Sequence, residues 1–164
     1  MNLKESVFFA RFGALALAAG LTFSLAAPVG ATHQQGHEEK AGICPQPRHT
    51  PTAPKEFLLR KNPLSASPQN ILAGKTLFQF DAQPSACRIC HGISGDGLGI
   101  MFKRVDKKPR NFTCYQTMDD LPDGQLFWII KNGSPGTAMP PFKYLDDDQV
   151  WQLILYIRSF SGKK

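Results

Sequence analysis

The sequence predicts an all-α fold, a small helical domain preceded by an extended, proline-rich N-terminal arm. Three observations lead there. Three segments carry helix start signals, the middle one with stop signals in the expected order as well, and the chain lacks the alternating strand and helix pattern of an α/β protein. The loops between the helices are long for a domain of this size, which is the usual mark of loops that serve a site. At 164 residues the chain has room for one compact domain with its own core.

Residues 1–31 read as a secretory signal. Lys4 and Arg11 precede the apolar run from Phe12 to Ala27, and the small residues Gly30 and Ala31 follow, placing cleavage after Ala31. The rival reading is an uncleaved membrane anchor. Gly20, Thr22 and Ser24 interrupt the run, which falls short of the roughly 20 apolar residues a span requires. Cys44 lies too far beyond the run, and after the bulky Ile43, to be a lipoprotein cysteine. The expected location is a bacterial periplasm, where thiols meet oxidants. The whole chain carries +6, and the mature part, with 17 basic and 12 acidic residues, +5. Mild positive charge suits docking on an acidic protein. Nucleic acid is excluded as a partner by export and by the lack of a long basic run with interleaved aromatics.

Residues 32–69 form the arm. Pro45, Pro47, Pro51, Pro54, Pro63 and Pro68 leave space only for a short helix in "KEFLLRKN", whose Phe57, Leu58 and Leu59 predict that the arm lies against the domain. The helical domain is expected over 70–162. Its first helix has Ser67 as N-cap and Pro68 at the first helical position, with Ile71, Gly74, the Lys75 stem and Phe78 on one face. "CRICHG" and the glycine loop "SGDGLG" follow, and the chain stays irregular through "DKKPRNF". A second helix, about 122–132, is bracketed by Pro122 and Asp123 at its start and by Lys131 and Gly133 at its end. After the loop "SPGTAMPPFKY", Asp146 and Gln149 make a capping-box pattern ahead of apolar positions 150, 153, 154 and 157. Trp151, Leu155 and Tyr156 predict that this last helix is covered on more than one face.

The chemistry is concentrated in residues 87–91. In a CxxCH motif, two thiols three positions apart add across the vinyl groups of a haem, and the next residue offers its imidazole to the iron. Cys87 and Cys90 are then the attachment thiols and His91 the proximal ligand. A zinc site would need two further ligands at close spacing, and Cys44, Cys114, His33, His37 and His49 supply no second CxxC or HxxxH. A thioredoxin-like redox pair belongs to a strand and helix alternation that is missing here. For the sixth coordination position Met139 is the candidate, because Pro140 and Pro141 stiffen the loop that presents it and reduce the freedom lost on ligation. Met101 and Met118 compete without flanking prolines, and the bland alternative for Met139 is simple packing. His/Met ligation raises the reduction potential relative to bis-histidine haem.

"CRICHG", "KPRNF", "TAMPPF" and "DDDQVWQLILYIRS", in this order, resemble a class I c-type cytochrome, the small monohaem electron-carrier family, over about Pro68 to Phe160. The resemblance implies a cytochrome c-like helical domain around one covalently bound haem c. It also implies that Gly74 and Phe78 on the first helix cross Leu153 and Tyr156 on the last. Pro109 is implied over the proximal imidazole, and Arg110 or Asn111 at a haem propionate. The arm departs from the family pattern and carries Cys44, which together with Cys114 makes an even remainder in an oxidising compartment. A disulfide between them closes about 70 residues and stabilises by roughly 4 kcal/mol in the chain-entropy estimate. Free thiols or a bond to another chain are the alternatives. Lys103, Arg104, Lys107, Lys108 and Arg110 form a basic cluster, either an ordinary solvated face or a guide for an acidic redox partner.

The expected function is a periplasmic monohaem cytochrome that carries single electrons between a donor and an acceptor protein and catalyses no reaction of its own. Membrane contact would arise only through a partner complex or an uncleaved signal. One alternative is a haem-bearing subunit of a specific oxidoreductase complex, with the arm as docking strap. Another is a gas-binding haem sensor, should Met139 not ligate.

Overall fold

A computed structural model describes residues 42–162. The expected signal segment and residues 32–41 of the arm lie outside the described residues. In chain order the elements are α1 (Lys55–Leu58), α2 (Pro68–Thr76) continued by a π-helical turn (Leu77–Asp81), and α3 (Arg88–His91). A 3₁₀ turn (Phe102–Arg104), α4 (Tyr115–Met118), α5 (Asp123–Asn132) and α6 (Asp147–Phe160) follow. The described residues contain no strand, and the all-α class holds.

Local chemistry explains where the longer helices begin. Ser67 Oγ accepts the N–H of Asn70 at 3.2 Å, and Pro68, with no N–H of its own to lose, occupies the first helical position. Asp146 and Gln149 close a reciprocal capping box, 2.8 Å from the Gln149 N–H to Asp146 Oδ1 and 3.0 Å from the Asp146 N–H to Gln149 Oε1. Pro122 is the N-cap of α5, and its carbonyl accepts the N–H groups of Gln125 and Leu126.

The helices α2 and α6 cross at Gly74. A Cβ there would sit 2.0 Å from the Gln152 carbonyl oxygen, so only glycine permits this approach. Phe78 is fully buried beside the crossing and meets Tyr156 and Phe160, each at 5.4 Å between ring centroids. Val150, Leu153, Ile154 and Ile157 are buried along one stripe of α6, and Trp151 and Tyr156, which flank that stripe, are buried too. The last helix is thus covered on more than one face, as its composition predicts. Lys75 departs from expectation: it is exposed, and the widened turn after Thr76 carries Leu77, Phe78 and Gln79 inward instead.

The arm from residue 42 onward is packed. Ala53 is buried, the Phe57 ring stacks on Phe127 at 6.4 Å, and the Arg60 guanidinium sits 4.2 Å from the Phe127 centroid. Asn62 Nδ2 donates to the Trp151 carbonyl at 3.0 Å. The sulfurs of Cys44 and Cys114 are 1.95 Å apart, with 5.5 Å between their Cα atoms. The single turns α3 and α4 are too short to show a periodic stripe, which is why the sequence pattern does not announce them.

Candidate functional site

The CxxCH segment folds into the single turn α3. The His91 N–H donates to the Cys87 carbonyl at 2.9 Å, and the i, i+3 spacing places Cys87 and Cys90 on the same side of the turn. So short a helix leaves its carbonyls without intrahelical partners. The glycine loop returns to supply them. The N–H of Gly97 bonds the His91 carbonyl at 2.8 Å, that of Gly99 the Cys90 carbonyl at 3.1 Å, and that of Met101 the Ile89 carbonyl at 3.1 Å.

Cys87, Cys90 and His91 open onto a cleft, and Met139 lines the same cleft. Much of the wall is apolar, with Phe112, Leu126, Ile129, Ile130, Phe142 and Ile157. Burial pushes the Cys87 thiol up to about 12 and raises that of Cys90. Both are protonated at neutral pH, the reverse of the depressed pKa that activates a redox thiol. Among the described residues no group of three or more His, Cys, Asp or Glu side chains is placed to hold a metal ion, so these two cysteines lack the partners of a tetrahedral site.

His91 is oriented from behind. Its Nδ1 donates to the Arg110 carbonyl at 3.0 Å, leaving Nε2 with its lone pair available. Burial, partly opposed by that hydrogen bond, pushes the imidazole down to about 4, so it is neutral at physiological pH. Phe112 stacks on the ring at 4.5 Å between centroids, nearly parallel at 19°. No sequence pattern marks Phe112 as a site residue, although its place in "KPRNF" sets it beside the expected ones.

The methionine loop is pinned at both backbone groups of Met139. Its N–H donates to Thr137 Oγ1 at 3.1 Å, and its carbonyl accepts from the Ser134 N–H at 3.1 Å. Gly133, read from the sequence as a helix stop, is also what lets the loop fold back. Its φ is +73°, and a Cβ would fall 2.8 to 2.9 Å from backbone atoms of Met139, Pro140 and Pro141. Of the competing methionines, Met118 is fully buried in the core, and neither it nor Met101 lines the cleft.

Pro109 and Arg110 line the cleft, while Asn111 does not. Of the two residues expected at a propionate, Arg110 or Asn111, Arg110 is the one that lines the cleft. Asn111 is 3% exposed, with Nδ2 donating to the Ile43 carbonyl and Oδ1 accepting from both the N–H and the hydroxyl of Thr113. Its side chain is occupied in forming a turn. Lys108 also differs from the rest of the basic cluster. Its ammonium donates to the Phe102 and Val105 carbonyls at 2.9 and 2.8 Å, whereas Lys103, Arg104 and Lys107 are exposed.

The cleft has the donors a haem c requires: two sulfurs on one turn, an imidazole with Nε2 available and a thioether on a stiffened loop. A further sign of fit is Ser134 Oγ, which lines the cleft, is buried and has no hydrogen-bond partner among the described residues. A helical shell with these groups around an apolar cleft defines a c-type cytochrome domain. Residues 69–157 match the family model described as cytochrome c oxidase, cbb3-type, subunit III, and the chain belongs to that family of cytochrome c domains. Membership implies haem c binding. Among solved structures the chain resembles a component of the Kuenenia stuttgartiensis reducing HAO-like protein complex Kustc0457/Kustc0458, with 30% identity and a TM-score of 0.53. The match covers 60% of this chain and 46% of that one, so the chain spans about half the length of its structural relative. No curated protein matches.

Proposed function

We propose that this protein is an exported, periplasmic monohaem cytochrome c that passes single electrons between protein partners and carries out no substrate chemistry of its own. The observation that carries the reading is the convergence of Cys87, Cys90, His91 and Met139 on one largely apolar cleft, with His91 Nδ1 held by the Arg110 carbonyl. Haem c bound there would supply reversible one-electron exchange at iron. Cys87 and Cys90 would tether it covalently, and His91 through Nε2 and Met139 through its thioether would hold the iron. The apolar wall keeps water away, and the pinned loops limit rearrangement on electron transfer. Arg110 lines the cleft, as Lys107 and Lys108 do, and is a cation available to a propionate. The Cys44–Cys114 disulfide fastens the arm, in keeping with an oxidising compartment.

A second reading, the electron-transfer subunit of a specific oxidoreductase complex, draws support from the structural relative, a component of a redox complex. The arm residues Gln46, Pro47, His49 and Thr50 also line the cleft, which puts part of the arm beside the proposed redox centre.

The test is a visible spectrum with intact mass on protein matured in a host that attaches haem c. One added porphyrin mass, loss of it in Cys87→Ser/Cys90→Ser, and loss of the methionine-to-iron charge-transfer band in Met139→Ala are the expected results. Colourless wild-type protein overturns the proposal. Carbon monoxide binding by the reduced wild type at neutral pH would turn the reading toward a gas sensor, and co-elution with a larger partner on gel filtration toward the subunit.

A further inference from the structure

The arm reaches the peptide bond that orients the proximal histidine. The Arg110–Asn111 peptide presents its carbonyl to His91 Nδ1 at 3.0 Å and its N–H to Gln46 Oε1, also at 3.0 Å. The same Gln46 amide donates through Nε2 to the Pro109 carbonyl at 2.9 Å and the Lys108 carbonyl at 3.2 Å. One side chain from the arm therefore holds three successive peptide groups of the loop behind His91. Gln46 is itself fixed. Its N–H donates to Thr117 Oγ1 at 3.0 Å, its carbonyl accepts from the Arg110 guanidinium at 3.1 Å, and Cys44, two residues earlier, meets Cys114.

We propose that Gln46 is a positioning residue for His91, acting through the Arg110–Asn111 peptide to hold the haem reduction potential down. The inference rests on the function proposed above. Its physics is a hydrogen-bond chain from Gln46 Oε1 through the peptide to the imidazole. An amide whose N–H is taken by an acceptor carries more negative charge on its carbonyl oxygen. A stronger acceptor at Nδ1–H makes Nε2 a more basic ligand, and a more basic ligand favours the ferric state. Removing Gln46 Oε1 weakens both links and raises the potential. The bonds from Nε2 to Pro109 and Lys108 add a geometric part, because they keep the loop from drawing away from the ring. Nothing in the cytochrome motifs requires a glutamine here, since the residue comes from the arm, 41 positions before the first motif cysteine.

The experiment compares holoprotein variants by spectroelectrochemical titration and by NMR measurement of solvent exchange at His91 Nδ1–H in the ferrous state. Gln46→Met keeps the bulk and deletes the amide. Thr117→Val loosens Gln46 more mildly and carries the test alone should Gln46→Met fail to fold. Asn62→Ala is the structural control, because it releases the arm from Trp151 without touching residues 108–111. At the wild-type midpoint, Gln46→Met should raise the ferrous-to-ferric ratio roughly two- to fourfold, the order expected when one member of a hydrogen-bond chain is lost. It should also speed Nδ1–H exchange, with Thr117→Val shifted the same way by less and Asn62→Ala unshifted in both. Unchanged potential and exchange in Gln46→Met with haem attached overturns the inference and leaves the functional reading intact. An equal shift in Asn62→Ala overturns it too, by showing general loosening. Wild-type protein without haem mass overturns the functional reading and this inference with it.

Discussion

Replacing Gly74 by alanine sets two effects of opposite sign against each other. Alanine is the better helix former by about 1 kcal/mol, and on propensity alone the variant would be more stable. Tertiary structure reverses the sign. The new methyl would lie 2.0 Å from the Gln152 oxygen, 2.6 Å from its carbonyl carbon and 3.1 Å from the Leu153 nitrogen, all backbone atoms of α6 that cannot rotate aside. Ordinary contact begins near 3.4 Å, so the crossing must open by about 1.4 Å. Opening it pulls Phe78 from Tyr156 and loosens Leu153 and Ile154, side chains that are 9% exposed or less. Overpacking costs typically reach about 3 kcal/mol, and a clash with rigid backbone belongs at that end. The net is a loss of about 2 kcal/mol, a roughly 30-fold fall in the folding equilibrium. Urea titration of the holoprotein, followed by far-ultraviolet circular dichroism and Soret absorbance, should show a lower midpoint at unchanged slope. A midpoint equal to or above the wild type would refute the reasoning.

Three further outcomes are expected. Cys44→Ser/Cys114→Ser releases a cross-link over a sequence separation of 70 and should cost about 4 kcal/mol, measured by the same titration; a loss under about 1 kcal/mol would mean that arm packing alone does the work. Asp146→Ala removes the side-chain half of the capping box on α6, the acceptor for the Gln149 N–H, and should cost about 1 kcal/mol, with an unchanged midpoint as the contrary result. The Lys131 ammonium, 3.1 Å from the Asp147 carboxylate and aided by Arg60 at 3.5 Å, holds that carboxyl below its usual range. A pKa lowered on folding stabilises above the unfolded value, about 3.9, and the gain disappears as pH falls through the folded value. Since the Asp147 side chain is 56% exposed, Asp147→Asn should lose under about 1 kcal/mol at neutral pH in low salt, and the two proteins should converge in acid. A gap that does not vary with pH would contradict this.

The helix signals and the chemical motif were legible because both are local. Ser67 and Pro68, Pro122 and Gly133, and Asp146 with Gln149 act on backbone groups within a turn of themselves, so their spacing along the chain carries the information. The CxxCH turn is equally local. Asn111 marks the limit of such local signals. Its bonds from Thr113 are local, two residues on, whereas its bond to the Ile43 carbonyl depends on where the arm runs.

The amino-acid sequence by itself determined that the chain is helical and which five-residue motif offers sulfur and imidazole, because backbone geometry alone brings those groups together. Only the tertiary structure decided which methionine shares the cleft, that Phe112 stacks on His91, that Ser134 is buried there without a partner, and that Gln46 holds the peptide behind the histidine. Each of these depends on residues far apart in the chain meeting in space. The side chains meet through packing of segments distant in the chain, and no period or spacing in the sequence encodes which of them will touch.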